Sequence, residues 1–141
     1  MGFSISAAAA VIGVSLLMIV EISLGTIIPL YVDIQESYDQ MKDRAVDELQ
    51  TSVTIANVNT TVNASGYDLN VTIRNSGSTV IDTRYVHVLI DGASVSFSCS
   101  STYIHPENTN YILVHGLTGS GEKKVKVITQ NGISCYDSYI V

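Results

Sequence analysis

FSISAAAAVIGVSLLMIV, residues 3–20, contains no charged side chain. Glu21 interrupts the run, and ISLGTIIPLYV, residues 22–32, carries the apolar character onward. A helix needs about 20 mostly apolar residues to cross the hydrocarbon core of a bilayer. As one helix, residues 3–32 would extend about 45 Å, enough to cross and still project. Phe3, Val11, Leu16 and Val20 mark the membrane anchor. The apolar run lacks a basic leader and a small-residue cleavage site, so it reads as a retained anchor rather than a signal peptide. Glu21 is either a carboxylate at the outer interface or one that needs a partner in lipid. Everything beyond the run is polar and punctuated by turns. The chain therefore divides into an anchor and stalk, 1–50, and a domain, 51–141, large enough for one small core.

The stalk is read from its spacing. Leu30, Ile34, Tyr38, Met41, Ala45 and Leu49 recur at steps of three or four and make one apolar helical face. Acids and bases occupy the other faces. Pro29 should bend the helix or mark a boundary. The apolar face could pack on the chain's own domain or on a second copy, and a homodimer is the expected state.

The chain is acidic, with a formal net charge of −6. All seven Lys and Arg and twelve of the thirteen acids lie beyond the anchor. That balance argues against nucleic acid as a partner. Cys99 and Cys135 have no metal-ligand spacing. In an oxidising compartment they would pair, and closing that loop is worth roughly 3–4 kcal/mol. Two buried free thiols are the alternative. Asn59, Asn63 and Asn70 each open an Asn-x-Ser/Thr sequon, which together with a disulfide would place the domain outside the cell.

From Thr51 the apolar period becomes two. In Tyr67–Arg74, Leu69, Val71 and Ile73 alternate with Asp68, Asn70, Thr72 and Arg74. Asn75-Ser76-Gly77-Ser78 reads as a turn. Tyr85–Asp91 is apolar in both phases, which predicts a strand buried on both faces. Asp91-Gly92 and Asn131-Gly132 are hairpin signals. Ser94–Cys99 reads as one strand, with Val95, Phe97 and Cys99 in phase. Lys124 and Lys126 project opposite Val125 and Val127, as on an edge strand blunted by lysine. Seven or eight short strands with turns every 8–12 residues predict an all-β immunoglobulin-like sandwich behind the N-terminal transmembrane and stalk helix.

No catalytic set emerges. His87, His105 and His115 lack ligand spacing, Gly119-Ser120-Gly121 lacks the strand–loop–helix context of a phosphate cradle, and there is no Gly-x-Ser-x-Gly. The chain is read as a non-enzyme without cofactor or metal. Tyr103 and Tyr111, near an Asn-rich loop, are candidates for a partner face, since tyrosine is enriched at interface cores. Core packing is the alternative for both.

Two stretches carry a family resemblance. Residues 1–10, MGFSISAAAA, open directly into the apolar helix. Residues 69–81, LNVTIRNSGSTVI, are followed by VHVLIDG at 86–92. Together they resemble the archaeal flagellar (archaellum) accessory proteins FlaF and FlaG, with the opening closer to FlaF. The resemblance implies a single-pass protein of the archaeal cell membrane with its sandwich in the pseudo-periplasm. It implies a stator part that ties the motor to the surface-layer protein, working as a dimer beside other motor or filament components. The family shares ancestry with type IV pilin-like proteins, which are cut after a Gly and assemble through their N-terminal helices. Gly2-Phe3 offers that Gly, but no base precedes it and Ala7 stands where a Glu is usual. A filament subunit or minor pilin is therefore the alternative reading.

Overall fold

The computed structural model describes residues 2–141, with side chains from residue 4 onward. The Phe3 side chain, placed above in the anchor, lies outside the described residues. Helix α1 runs Gly2–Gln50. It continues through Pro29, so the predicted boundary is absent. The residue whose carbonyl faces the proline ring is Gly25, four positions back. The helix is long and apolar enough to cross a membrane. Two of its serines are reconciled with that character internally: the Ser15 hydroxyl donates to the Val11 carbonyl (2.8 Å) and Ser23 to Ile19 (2.7 Å).

The chain divides into two compact units that meet between Asp43 and Arg44. The last turns of α1 thus belong to the globular unit.

Among the described residues, ten strands follow the helix. Sheet I has the order β1-β2-β8-β6: Val53–Asn63, Gly66–Asn75, Thr109–Leu117 and Ser98–Cys99. Sheet II has the order β10-β9-β4-β5: Ser134–Ile140, Glu122–Ile128, His87–Ile90 and Ala93–Val95. A two-stranded ladder joins β3 (Ile81–Asp82) to β7 (Tyr103–Ile104). Every ladder is antiparallel. Two four-stranded sheets whose chain crosses repeatedly between them form the immunoglobulin-like sandwich expected.

The period-two reading of β2 holds. Tyr67, Leu69, Val71 and Ile73 are buried, and they meet Ile112 and Val114 of β8 and Val88, Val125 and Val127 of sheet II in one core. Burying each such aliphatic side chain stabilises the fold by about 1.5–3 kcal/mol. Tyr67 and Tyr139 bring polarity into this core, and each hydroxyl is the other's partner at 3.0 Å. Burial, and then that bond, pushes the Tyr139 phenol above its usual pKa. Both hairpin signals are realised. Asp91 and Gly92 take positive φ values of 50° and 85° between β4 and β5, and Gly132 does so at 78° before β10.

Three expectations need correction. Tyr85–Asp91 is not buried on both faces: Val86, Val88 and Ile90 are buried, but Tyr85 is 61 % exposed and His87 is exposed. Ser94–Cys99 is not one strand: β5 pairs with β4 in sheet II, whereas β6 pairs with β8 in sheet I. The chain changes sheets at Ser96-Phe97 without losing its alternation, so the pattern could not reveal the crossing. Lastly, β9 is an interior strand, and Lys124 and Lys126 guard no edge.

Candidate functional site

The arrangement with the most connected chemistry is the joint where α1 enters the sandwich. A helix ends with carbonyls that lack partners along the helix. Here Thr51, 5 % exposed, supplies them. Its N–H donates to the Asp47 and Glu48 carbonyls (3.0 and 3.3 Å), and its hydroxyl donates to Asp47 (2.7 Å). The same hydroxyl oxygen meets the Thr79 hydroxyl at 2.6 Å and accepts from the Asn131 amide at 2.7 Å. The Gln50 carbonyl accepts from Ser78 N–H (2.8 Å), and that of Ser52 from Ser76 and Gly77 (2.9 and 3.1 Å). The turn at 75–78 is thus also the socket for the helix end.

Asn75 holds the socket. Its side chain is fully buried and makes three bonds. The amide donates to the Thr79 and Ile104 carbonyls (2.7 and 2.9 Å), and the side-chain oxygen accepts from Gly77 N–H (3.0 Å). The last of these is an Asx turn, the local bond that makes Asn a turn residue. Gly77 fits because it has no side chain: a Cβ there would overlap the Gln50 carbonyl oxygen and the Ser52 nitrogen.

A second cluster lies around Tyr103. The Arg84 guanidinium stands 5.8 Å from the ring centres of both Tyr85 and Tyr103. It also donates to the Tyr103 hydroxyl (3.2 Å) and to both carboxylate oxygens of Asp82. Its bond to Asp82 holds that carboxyl below the usual range and Arg84 above its own. Exposed Tyr and Arg in such a cluster match the composition of interface hot spots. The sequence singled out Tyr103 but neither Arg84 nor Tyr85, because β3 and β7 bring Arg84 and Tyr103 together across almost twenty residues.

Tyr111 stands exposed on β8, in sheet I rather than in the ladder that carries Tyr103. Val11, Leu16 and Val20, expected in an anchor, are exposed on α1, as are Leu30, Ile34, Tyr38, Met41, Ala45 and Leu49, expected to form a stalk face. Of the sequons, Asn59 is exposed on β1. Asn63 is exposed, but its amide donates to Asp68 (3.0 Å). Asn70 is half-buried, with its side-chain oxygen enclosed and unpartnered.

The expected Cys99–Cys135 disulfide is not formed, and both cysteines are free. Cys99 lies on β6, at one edge of sheet I. Cys135 lies on β10, at the edge of sheet II that approaches β1, the opposite edge of sheet I. A disulfide needs Cα atoms within about 7 Å, and neighbouring strands alone are about 4.8 Å apart. The strands β8, β2 and β1 intervene. Burial raises both thiol pKa values, that of Cys135 to about 11. Thiol labelling of the denatured chain, prepared without reductant, should therefore count both cysteines as free. A chain lighter by two hydrogens would contradict this.

Acidity bears on three surface carboxylates. Asp68 accepts from Gly116 N–H (3.0 Å), His115 Nδ1 (3.1 Å) and Asn63. Asp91 accepts from Lys124 N–H (2.9 Å) and Lys123 Nζ (3.1 Å). These bonds lower both pKa values, with the backbone donor the largest cause in each, and Asp82 is lowered by Arg84. A depressed folded pKa contributes stability above the unfolded value of about 3.9, and it is lost as pH falls through the folded one. The melting temperature should therefore drop below about pH 4. In Asp91→Asn the acid-induced drop should be smaller, and an unchanged acid limb would refute the assignment.

The architecture defines a class: an immunoglobulin-like sandwich clamped to the end of a long N-terminal helix. No family model and no curated protein matches the chain. Among solved structures it is similar to the archaellum periplasmic stator protein FlaG from Sulfolobus acidocaldarius, with a TM-score of 0.52 and 16 % identity. That match covers 63 % of this chain and 99 % of the other. The archaellum periplasmic stator protein complex FlaF and FlaG from the same organism matches at a TM-score of 0.49 and 16 % identity, over 62 % of this chain and 87 % of that one. The first likeness shows that this chain has the FlaG fold.

Proposed function

We propose that the chain is a stator component of the archaellum, anchored in the cell membrane by α1 and tethering the motor to the surface layer through an extracytoplasmic sandwich. The observation that carries this reading is the FlaG fold, matched over 99 % of that chain and preceded here by a helix apolar enough to span a bilayer. A stator must transmit load without yielding at the joint. The bonds of Thr51 and Asn75 supply such a joint. The exposed stalk face from Leu30 to Leu49 supports a homodimer, and the Arg84–Tyr103 cluster is the proposed partner face. Of the sequons, Asn59 offers the freest amide for a glycan. Co-purification from native membranes tests the reading: motor components and surface-layer protein should come down with the chain. Retention of neither, with the anchor intact, would overturn it.

A filament subunit is the second reading, favoured by the uninterrupted helix Gly2–Gln50. The native N-terminus separates the two. A chain beginning at Phe3 supports the filament, and one retaining Met1-Gly2 or Gly2 supports the stator.

A further inference from the structure

The sandwich is nearly neutral, with six acids and five bases in residues 51–141, whereas residues 33–48 hold six acids and two bases. The stalk therefore carries most of the chain's negative charge. Three of the sandwich bases are committed: Arg74 to Glu107, Arg84 to Asp82, and Lys123 to Asp91. Lys124 and Lys126 form no ion pair among the described residues. Both rise from the outer face of β9, an interior strand, so edge protection does not account for them. Beside them lie Leu89 of β4, half-buried, and Tyr136 of β10, 79 % exposed. Register places Leu89 and Tyr136 on either side of Lys126, since both pair with it across their ladders. The result is a groove of about 480 Å³ with Leu89, Val125 and Tyr136 in its lining, rimmed by Lys124 and Lys126 and by Asp91, whose charge is already met by Lys123.

The stalk carries the complement. Ile34, Tyr38 and Met41 line a groove of about 350 Å³ on α1, with Asp33 at its rim. All three apolar side chains are exposed.

We propose that the outer face of sheet II binds the stalk of a second copy of this chain, Leu89 and Tyr136 meeting Ile34, Tyr38 and Met41 while Lys124 and Lys126 face Asp33 and its acidic neighbours. Apolar contact supplies the buried area, and the opposed charges fix the register. The inference rests on the chain's own two surfaces and stands whichever assembly the protein serves.

The test uses the full chain in nanodiscs of neutral lipid, prepared from a mixture of ¹⁵N-labelled and unlabelled protein. A photo-crosslinking benzophenone amino acid replaces Tyr136. Mass spectrometry should find crosslinks to residues 33–41 that join labelled to unlabelled chains. Lys124→Glu with Lys126→Glu should reduce their yield about tenfold or more, because like charges then face each other. Adding Asp33→Lys with Glu36→Lys should restore it. All four positions are exposed, so unchanged melting confirms folding in each variant. Crosslinks confined to one chain, to lipid, or to positions outside the stalk would overturn the proposal. So would a yield indifferent to charge reversal.

Discussion

Asn75→Ala should lower the stability of the sandwich by about 3–5 kcal/mol. The substitution deletes three hydrogen bonds at a fully buried site and strands the Thr79 and Ile104 carbonyls, while the Gly77 N–H keeps its bond to the Ser52 carbonyl. Each buried group left unpaired costs about 1–3 kcal/mol, more than a bond contributes when both partners are removed together. Water will reach part of this site, so the two costs do not simply add. Against a total stability of about 5–15 kcal/mol the loss is severe. At about 4–8 °C per kcal/mol for a domain of this size, the melting temperature should fall by about 12–40 °C. Thermal melting of the full chain in detergent measures it. A fall of only a few degrees would show that the socket is not held by this side chain. Asn75→Asp gives a second readout, since it keeps the shape and the Asx acceptor but loses both amide donors. It should also destabilise, and less so at low pH, where the carboxyl is protonated and one donor returns.

Gly77→Ala is the second large effect, and its cause is different. No bond is removed, but the new methyl occupies the space of the Gln50 carbonyl oxygen and the Ser52 nitrogen. Backbone cannot yield there as a flexible side chain would. Either the turn withdraws or the helix end lifts, at a cost of about 1–3 kcal/mol or somewhat more. The Ser78-to-Gln50 and Gly77-to-Ser52 bonds break in both cases. Hydrogen exchange should report the site: the amides of Ser76, Gly77 and Ser78 should lose protection while those of β9 keep theirs. Uniform loss across the domain would point to general unfolding, and unchanged protection would refute the socket. On the stator reading this variant should also impair motility while leaving the chain in the membrane.

Local patterns were legible, and long-range ones were not. The alternation of Leu69, Val71 and Ile73 named the central strand because both of its neighbours in sheet I leave one face to the core. Asp91-Gly92 and Asn131-Gly132 located two hairpins because their backbone conformations disfavour most other residues. The joint could not be read, because Thr51 finds its partners at Thr79 and Asn131, which only the finished fold brings near. Asn75 showed half of its role: the Asx turn is local, but its bond to Ile104 is not. The break between β5 and β6 was hidden because Val95, Phe97 and Cys99 keep one phase while their partners change. Cysteine spacing says nothing of which sheet edge a strand will occupy, and that decided against the disulfide.

The two separated thiols have a wider consequence. A sandwich held by apolar packing, the Tyr67–Tyr139 bridge and Asn75 owes none of its stability to an oxidant. It needs no disulfide-forming catalyst, and it could mature in a reducing medium as readily as in an oxidising one. With both thiol pKa values raised, little thiolate is present to exchange with foreign disulfides. The fold is indifferent to the redox state of its surroundings.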